Sequence, residues 1–157
     1  MTITGLSDES ANEHAMSELQ FSNPEQAGIF HLPLGKASAL RQRAERWHFV
    51  YLSADLSPAA STEAALKILG QACDFPDWYG ANFDALLDCL LDSEWKPAPG
   101  HILYIEGCAR LRQLNPDDFS TLLEVLRAAS DCRKEMKQPL WILLDSPARG
   151  ISSLHGL

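Results

Sequence analysis

Three aspartates recur at four-residue spacing near the middle of the chain. Asp84, Asp88 and Asp92 stand at positions i, i+4 and i+8, so a helix would place them in a line on one face. Like charges at this spacing destabilise a helix by about 0.2–0.5 kcal/mol per pair, and no Lys or Arg lies within this segment to relieve them. Such a line could steer a basic partner, although a charge run is more often only a solvated face.

An aromatic turn precedes these aspartates. Trp78-Tyr79-Gly80 follows a proline and must form a turn before the acidic helix. An exposed aromatic residue and a glycine that permits close approach, next to steering charges, are the ingredients of an interface anchor. The alternative is that one or both aromatic rings only cap the core.

The acidic helix has a clear start and an inward face. Asn82 is a good N-cap residue, because its side-chain oxygen can accept a hydrogen bond from the first turn. Apolar residues follow at three- and four-residue steps, which predicts an amphipathic helix packed on a core. These residues are Phe83, Leu86, Leu87, Leu90 and Leu91.

The remaining elements alternate between strands and helices. A β-α-β unit is predicted from residue 28 to residue 52, with Ser38 capping its helix, and Ser61 or Thr62 begins a further helix. Asn115-Pro116 begins a long helix with inward Phe119, Leu122, Leu123, Leu126 and Ala129. Apolar runs at His101 to Ile105 and Leu140 to Leu144 predict buried strands. The predicted fold class is α/β, a small parallel sheet with packed helices.

Composition limits the kind of partner. The 157-residue chain has 13 basic and 21 acidic residues, a net charge of −8, which opposes direct binding to nucleic acid or to an anionic membrane. We therefore expect a basic protein partner. The N-terminal sequence has no positively charged leader pattern and the longest apolar runs are too short to span a bilayer, so a cytoplasmic protein is expected.

The sequence predicts one domain with a tail at each end. Residues 1–27 are polar and predict a flexible tail, residues 28–146 predict a single α/β domain, and residues 147–157 predict a second loose tail. Four cysteines lie far apart and show no metal-binding spacing, so we expect free thiols, no metal and no cofactor. They are Cys73, Cys89, Cys108 and Cys132.

The segment FPDWYGANFDALLDCL strongly resembles the signature of the barstar family, in which a proline, an aromatic pair, Gly and Asn precede Asp-Ala-Leu and Asp-Cys-Leu. A weaker resemblance covers residues 47–145. It implies a barstar-like fold of two or three layers, extended at the N-terminus by a β-α unit. Barstars are intracellular inhibitors, which protect the producing cell by inserting this helix and loop into the active site of a basic ribonuclease.

The resemblance also implies a set of residues that bind the partner, with Asp88 as the central plug of the ribonuclease site. The set comprises Trp78, Tyr79, Gly80, Asn82, Asp84, Leu87, Asp88, Leu91 and Asp92. Aligned carboxylates can occupy the phosphate positions of a cationic cleft and accept its Arg and Lys hydrogen bonds. Leu87 and Leu91 stand where the best-known member has an aromatic and a hydroxyl residue, and Ala128 replaces an acidic contact. These departures indicate a different target nuclease.

Two other function classes remain open. An enzyme could use Asp84 and Asp88 as a carboxylate pair, but the sequence shows no third metal ligand, and its five scattered histidines form no nucleophile pair. The stronger rival is a binding module of the same fold whose basic partner is another toxin or a regulator. Loss of ribonuclease activity at near-stoichiometric amounts of the protein would distinguish an inhibitor from both.

Overall fold

The computed structural model describes residues 21–154, which form a five-stranded sheet with helices on both faces. The strands are β1 (Ile29–His31), β2 (Val50–Asp55), β3 (His101–Glu106), β4 (Leu140–Leu144) and β5 (Ser152–Ser153). Their order across the sheet is β2-β3-β4-β1-β5, and every neighbouring pair is parallel. The helices are α1 (Ala37–Arg46), α2 (Thr62–Ala72), α3 (Phe83–Leu91), α4 (Cys108–Leu114) and α5 (Pro116–Glu135). The predicted α/β class with a parallel sheet is confirmed.

Strand β4 is the centre of the fold. All five of its residues are buried, which explains why its sequence is a continuous apolar run rather than an alternating one. Leu140, Ile142 and Leu144 pack into the core on one face of the sheet. Trp141 and Leu143 pack into a second core on the other face. The sheet is therefore covered by apolar groups on both sides.

The larger core contains the helices that follow β2. Helix α2 begins at Thr62 because the Ser61 hydroxyl accepts a hydrogen bond from the Ala64 N–H at 3.1 Å. Helix α5 begins at Pro116, where a missing N–H costs nothing. It lies against both α3 and β4, and Phe119, Leu122 and Leu126 are buried in this core. Helix α5 thus connects the sheet to the acidic helix.

The second core is built largely from aromatic rings. Helix α1 covers it with Leu40 and Ala44, and Trp141 of β4 stacks on Phe49 with 5.5 Å between ring centroids. Helix α1 begins at Ala37 after Lys36, which makes no side-chain cap, so the predicted cap at Ser38 is wrong. Strand β2 begins at Val50, and the rings of Trp47 and Phe49, between α1 and this strand, pack in the same cluster.

Both ends of the described chain are more ordered than the sequence indicated. Phe21, in the predicted N-terminal tail, is buried between Trp47 and Trp141 at centroid distances of 5.0 and 5.1 Å. In the predicted C-terminal tail, β5 pairs with β1 and Leu154 is buried. These segments carry few apolar residues, so periodicity could not identify them. The rest of the two predicted tails, residues 1–20 and 155–157, lies outside the described residues.

Two glycines with positive φ allow a matched test of the fold. Gly107 connects β3 to α4 with φ +70°, and a Cβ added there would lie 2.4 Å from the Ser57 nitrogen. Gly150 has φ +80° with nothing within 4 Å of such a Cβ. We expect Gly150→Ala to lower the free energy of unfolding by about 1 kcal/mol through backbone strain. Gly107→Ala should lower it by about 2–4 kcal/mol because steric overlap adds to that strain.

Urea denaturation followed by circular dichroism measures both glycine variants. The difference between them isolates the close approach of residue 107 to Ser57, since the backbone strain is common to both. Equal losses of stability would show that the segment around Ser57 moves away freely.

Candidate partner-binding surface

Helix α3 presents its carboxylates outward because its other face is fully used by the core. Ala85, Leu86, Cys89 and Leu90 are buried, whereas Asp84 and Asp88 are exposed. The cap predicted at Asn82 is confirmed, since its side-chain oxygen accepts a hydrogen bond from the Ala85 N–H at 2.8 Å.

The third aspartate has a different setting from the other two. Helix α3 ends at Leu91, so Asp92 is its C-cap residue rather than a member of the helix. The Asp92 side chain accepts a hydrogen bond from the Glu94 N–H at 2.9 Å, which begins the following turn. Asp84 lies at the positive end of the helix dipole and is stabilised by it, whereas Asp92 lies at the negative end and is not. All three side chains are exposed.

The two aromatic residues before α3 have separate roles. Trp78 is 59% exposed, which makes it one of the few large apolar side chains on the surface. Tyr79 is half-buried, and its hydroxyl donates a hydrogen bond to the Leu66 carbonyl at 2.7 Å. Its ring packs so closely on α2 that a Cβ at Gly70 would lie 2.4 Å from it. Tyr79 therefore anchors the loop to the core, while Trp78 is free to contact a partner.

The turn between Trp78 and α3 is tightly built. A Cβ at Gly80 would lie 3.0 Å from the side-chain nitrogen of Asn82, the residue that caps the helix. Ala81 adopts a φ of 52°, a left-handed conformation that is costly for a residue with a Cβ. The loop thus enters the helix through a strained residue, next to a glycine with little room for a side chain.

Leu87 and Leu91 lie between the core and the surface. Both are half-buried, and Leu87 packs against the larger core. Ala128, on α5, is also half-buried. Replacing these residues would therefore alter packing as well as any contact with a partner.

A buried arginine supports α3 from below. Arg133 of α5 is completely buried, and its guanidinium donates a 2.7 Å hydrogen bond to the Leu90 carbonyl in the last turn of α3. Its Nε donates to the Gln138 carbonyl at 3.0 Å. Burial lowers the pKa of Arg133, and the nearby Asp92 carboxylate opposes that shift. A cation at this position satisfies an unpaired carbonyl and offsets the negative end of the helix dipole.

Two more rings complete this buried cluster. The Arg133 guanidinium lies 5.3 Å from the Trp95 ring centroid, and Trp95 stacks on His101 at 5.0 Å and 15°. The Trp95 N–H donates to the Cys73 carbonyl at 2.9 Å, which connects the cluster to the start of the loop that carries Trp78. The cluster thus holds the loop and the helix in a fixed relation.

The protonation state of His101 follows from its neighbours. One ring nitrogen, Nε2, lies 2.6 Å from the Lys96 carbonyl, which can only accept, and the other lies 3.4 Å from an Arg133 nitrogen, which can only donate. Neutral His101 with its proton on Nε2 satisfies both. Burial lowers the pKa of His101 to about 4, with the positive charge of Arg133 also contributing.

This buried cluster was not predicted. Arg133 continues the apolar stripe of α5 at the spacing of Leu122, Leu126 and Ala129, so an arginine on an inward face was the available signal. His101 is the first residue of β3, and its side chain is only 1% exposed, so it belongs to the buried cluster rather than to the surface. It is contacted by Trp95 and Lys96 from the loop after α3 and by Arg133 from α5, and local patterns do not reveal such contacts.

The cysteines agree with the sequence interpretation. Cys73, Cys89, Cys108 and Cys132 are free, and all except Cys132 are buried. Burial raises the pKa of Cys73 and Cys108 to about 12, which keeps these thiols protonated. Within residues 21–154, no group of three His, Cys, Asp or Glu side chains is arranged to hold a metal ion. In the same range, no helix has the length and apolar character needed to cross a membrane.

Comparison with known families assigns the class of fold described above. The family model described as Barstar (barnase inhibitor) matches residues 47–145, which include α2, α3, α5 and three of the strands. The chain belongs to the barstar family. Strand β1 and helix α1 precede the match, and β5 follows it, so the family domain is extended within the same sheet. A search of curated proteins found no match.

The buried arginine gives a first prediction for this surface. Arg133→Met should lower the free energy of unfolding by about 3 kcal/mol, because buried carbonyls lose charged hydrogen bonds of roughly 1.5–3 kcal/mol each. Arg127→Met, at an exposed position on the same helix, should change it by less than about 0.5 kcal/mol. Urea denaturation with comparison of midpoints at constant m-value tests this, and two equal losses would contradict the capping role of Arg133.

His101 gives a prediction about pH. Its unfolded pKa is near 6.5 and its folded pKa about 4, so the unfolded state binds an extra proton between these values. Stability from this group is therefore complete above pH 6.5 and is lost as the pH falls towards 4, by about 3 kcal/mol in total. His101→Gln supplies one donor and one acceptor without titrating, and should reduce the pH dependence in this window. Urea denaturation at pH 7 and pH 5 measures this, and an unchanged pH dependence in His101→Gln would contradict it.

Proposed function

We propose that this protein is an inhibitor that blocks the active site of a basic ribonuclease inside the producing cell, as an immunity protein or antitoxin. Helix α3 and the loop before it insert into the nuclease, with Asp88 at the centre. Trp78, Gly80, Asn82, Asp84 and Asp92 surround it. The proposal is supported above all by one observation: the exposed carboxylates lie on a helix whose opposite face is entirely committed to the core.

Electrostatics favour a cationic target. The site of an RNA-cleaving enzyme must bind phosphates, so it presents Arg and Lys donors that carboxylates can also satisfy. The net charge of −8 adds long-range attraction, which speeds association with a basic partner and is screened by salt. No cofactor is required for such a mechanism.

The residues around the carboxylates indicate which nucleases would fit poorly. Leu87 and Leu91 cannot repeat the hydrogen bonds of polar side chains, and Ala128 supplies no acidic contact. A nuclease whose donors meet these positions would bury them unpaired, at about 1–3 kcal/mol each. We therefore propose that the natural target is a nuclease other than barnase.

A second candidate is a binding module for another basic protein, such as a toxin that does not cleave RNA. Leu87, Leu91 and Ala128 differ from the residues of the best-known barstar, and they support this candidate as well as they support the inhibitor. They surround the central Asp88, which is itself retained. The two candidates differ in one measurable respect. Only the inhibitor abolishes cleavage of a fluorogenic RNA substrate by a purified basic ribonuclease at near-stoichiometric amounts.

Asp88 carries the decisive prediction. Asp88→Ala should weaken inhibition of the cognate ribonuclease by at least about thirtyfold, since a central charged contact commonly contributes about 2 kcal/mol or more. The fold should be unaffected, because Asp88 is exposed and its removal relieves like-charge repulsion along α3. The measurement is the inhibition constant from titrated RNA cleavage, with the melting temperature as a check of folding.

Glu45→Ala is the matched control for Asp88. Glu45 is exposed on α1, which packs on the other face of the sheet, so this change removes one negative charge away from α3. Inhibition should remain within about twofold of the wild type. If Asp88→Ala inhibits as well as Glu45→Ala, the central role assigned to Asp88 is wrong.

A further inference from the structure

A groove lies beside the acidic helix, on the side of the aromatic loop. Its apolar floor contains Cys89 and Trp95, and one wall is formed by Pro76 and the exposed ring of Trp78. Asp92 and Glu94 border it after the end of α3. The groove thus joins the loop to the end of the helix, beyond the position of Asp88.

The charges that line this groove are unevenly paired. The Asp74 carboxylate forms a 2.8 Å ion pair with Lys96, so these two side chains neutralise one another within the groove. Asp92 uses one oxygen to accept the Glu94 N–H, a contact that fixes its carboxylate in place. Glu94 is exposed and has no ion pair with any side chain in the described part of the chain. Glu94 therefore remains to attract a cation, together with Asp92, whose carboxylate also lies near the buried Arg133 guanidinium.

An exposed indole facing carboxylates suits a guanidinium group in particular. Arginine is planar, stacks on aromatic rings and can donate to a carboxylate from its edge at the same time, whereas lysine is a compact and strongly hydrated point charge. Guanidinium groups lie over aromatic rings elsewhere in the structure, with Arg133 over Trp95 at 5.3 Å and Arg41 over Tyr51 at 5.9 Å.

We propose that this groove binds one arginine side chain of the basic partner protein, between the Trp78 ring and the carboxylates of Asp92 and Glu94. The identity of the partner as a ribonuclease rests on the proposed function above, but the groove would select an arginine on any basic partner. It is a second point of recognition beside Asp88. Specificity would then depend on an arginine outside the catalytic cleft of the partner.

The test uses the full chain and a small probe rather than a nuclease. Acetyl-arginine-amide carries only the guanidinium charge, and acetyl-citrulline-amide has nearly the same shape without it. Each is titrated into the isotope-labelled protein while the Trp78 indole N–H and the Glu94 backbone N–H are followed by nuclear magnetic resonance. We expect saturable shifts of both signals with the arginine compound, and none with the citrulline compound.

Variants separate the groove from general charge attraction. Glu94→Gln should weaken binding of the arginine compound about threefold, as expected for one exposed ion pair. Glu45→Gln removes the same charge from an exposed site on α1 and should leave the affinity unchanged. Equal shifts with both compounds, or shifts confined to Asp84 and Asp88, would overturn the proposal.

The outcome is independent of the ribonuclease assay. If RNA cleavage is not inhibited but the arginine compound binds at Trp78 and Glu94, the proposed ribonuclease target is wrong and the proposed arginine site is supported. If inhibition is strong and the compound does not bind, the groove is wrong and the proposed inhibitor stands.

Discussion

The acidic surface formed by α3 depends on the buried guanidinium of Arg133, which supports the C-terminal end of that helix. Helix α3 carries acidic side chains and no basic one. Its last carbonyls form the negative end of the helix dipole. Left alone, such a helix would be short of donors at its C-terminal end. Helix α5 supplies the missing cation from beneath, where it bonds to the Leu90 carbonyl at 2.7 Å. The outward face can therefore stay wholly acidic.

The same cluster fixes the loop that carries Trp78. Trp95 stacks on His101 and bonds to the Cys73 carbonyl, and the Lys96 side chain pairs with Asp74 at the start of that loop. Asp74 and Lys96 both adopt positive φ values, of 54° and 42°, as does Ala81 at 52° before α3. These conformations are costly for residues with a Cβ and persist only where surrounding contacts hold them. Rigid contacts below the surface thus maintain a loop shape that the chain would not adopt by itself.

Local signals were enough to identify most of the fold. The apolar run Leu140–Leu144 and the cap at Asn82 were predicted with their observed bounds, because burial on both faces and side-chain capping leave direct marks in the sequence. Strand β5 was missed since Ser152–Ser153 has no apolar character of its own and exists only by pairing with β1. The sequence also did not show that α3 ends before Asp92, or that Trp78 is exposed while Tyr79 packs on the core. Each depends on what lies opposite in space rather than along the chain.

The buried and exposed faces of α3 put different limits on which substitutions can change the binding partner. Positions 84 and 88 make no contribution to the core, so a change there would alter the partner without loss of the fold. Leu87 and Leu91 are half-buried, and a change at either must satisfy packing and recognition together. Glu94 is exposed and lies in the turn after α3, so a change there would alter recognition without disturbing the packing. Substitutions at the end of α3 and in the groove beside it would therefore change the partner with the least loss of stability. The central carboxylates would keep their attraction for a cationic cleft.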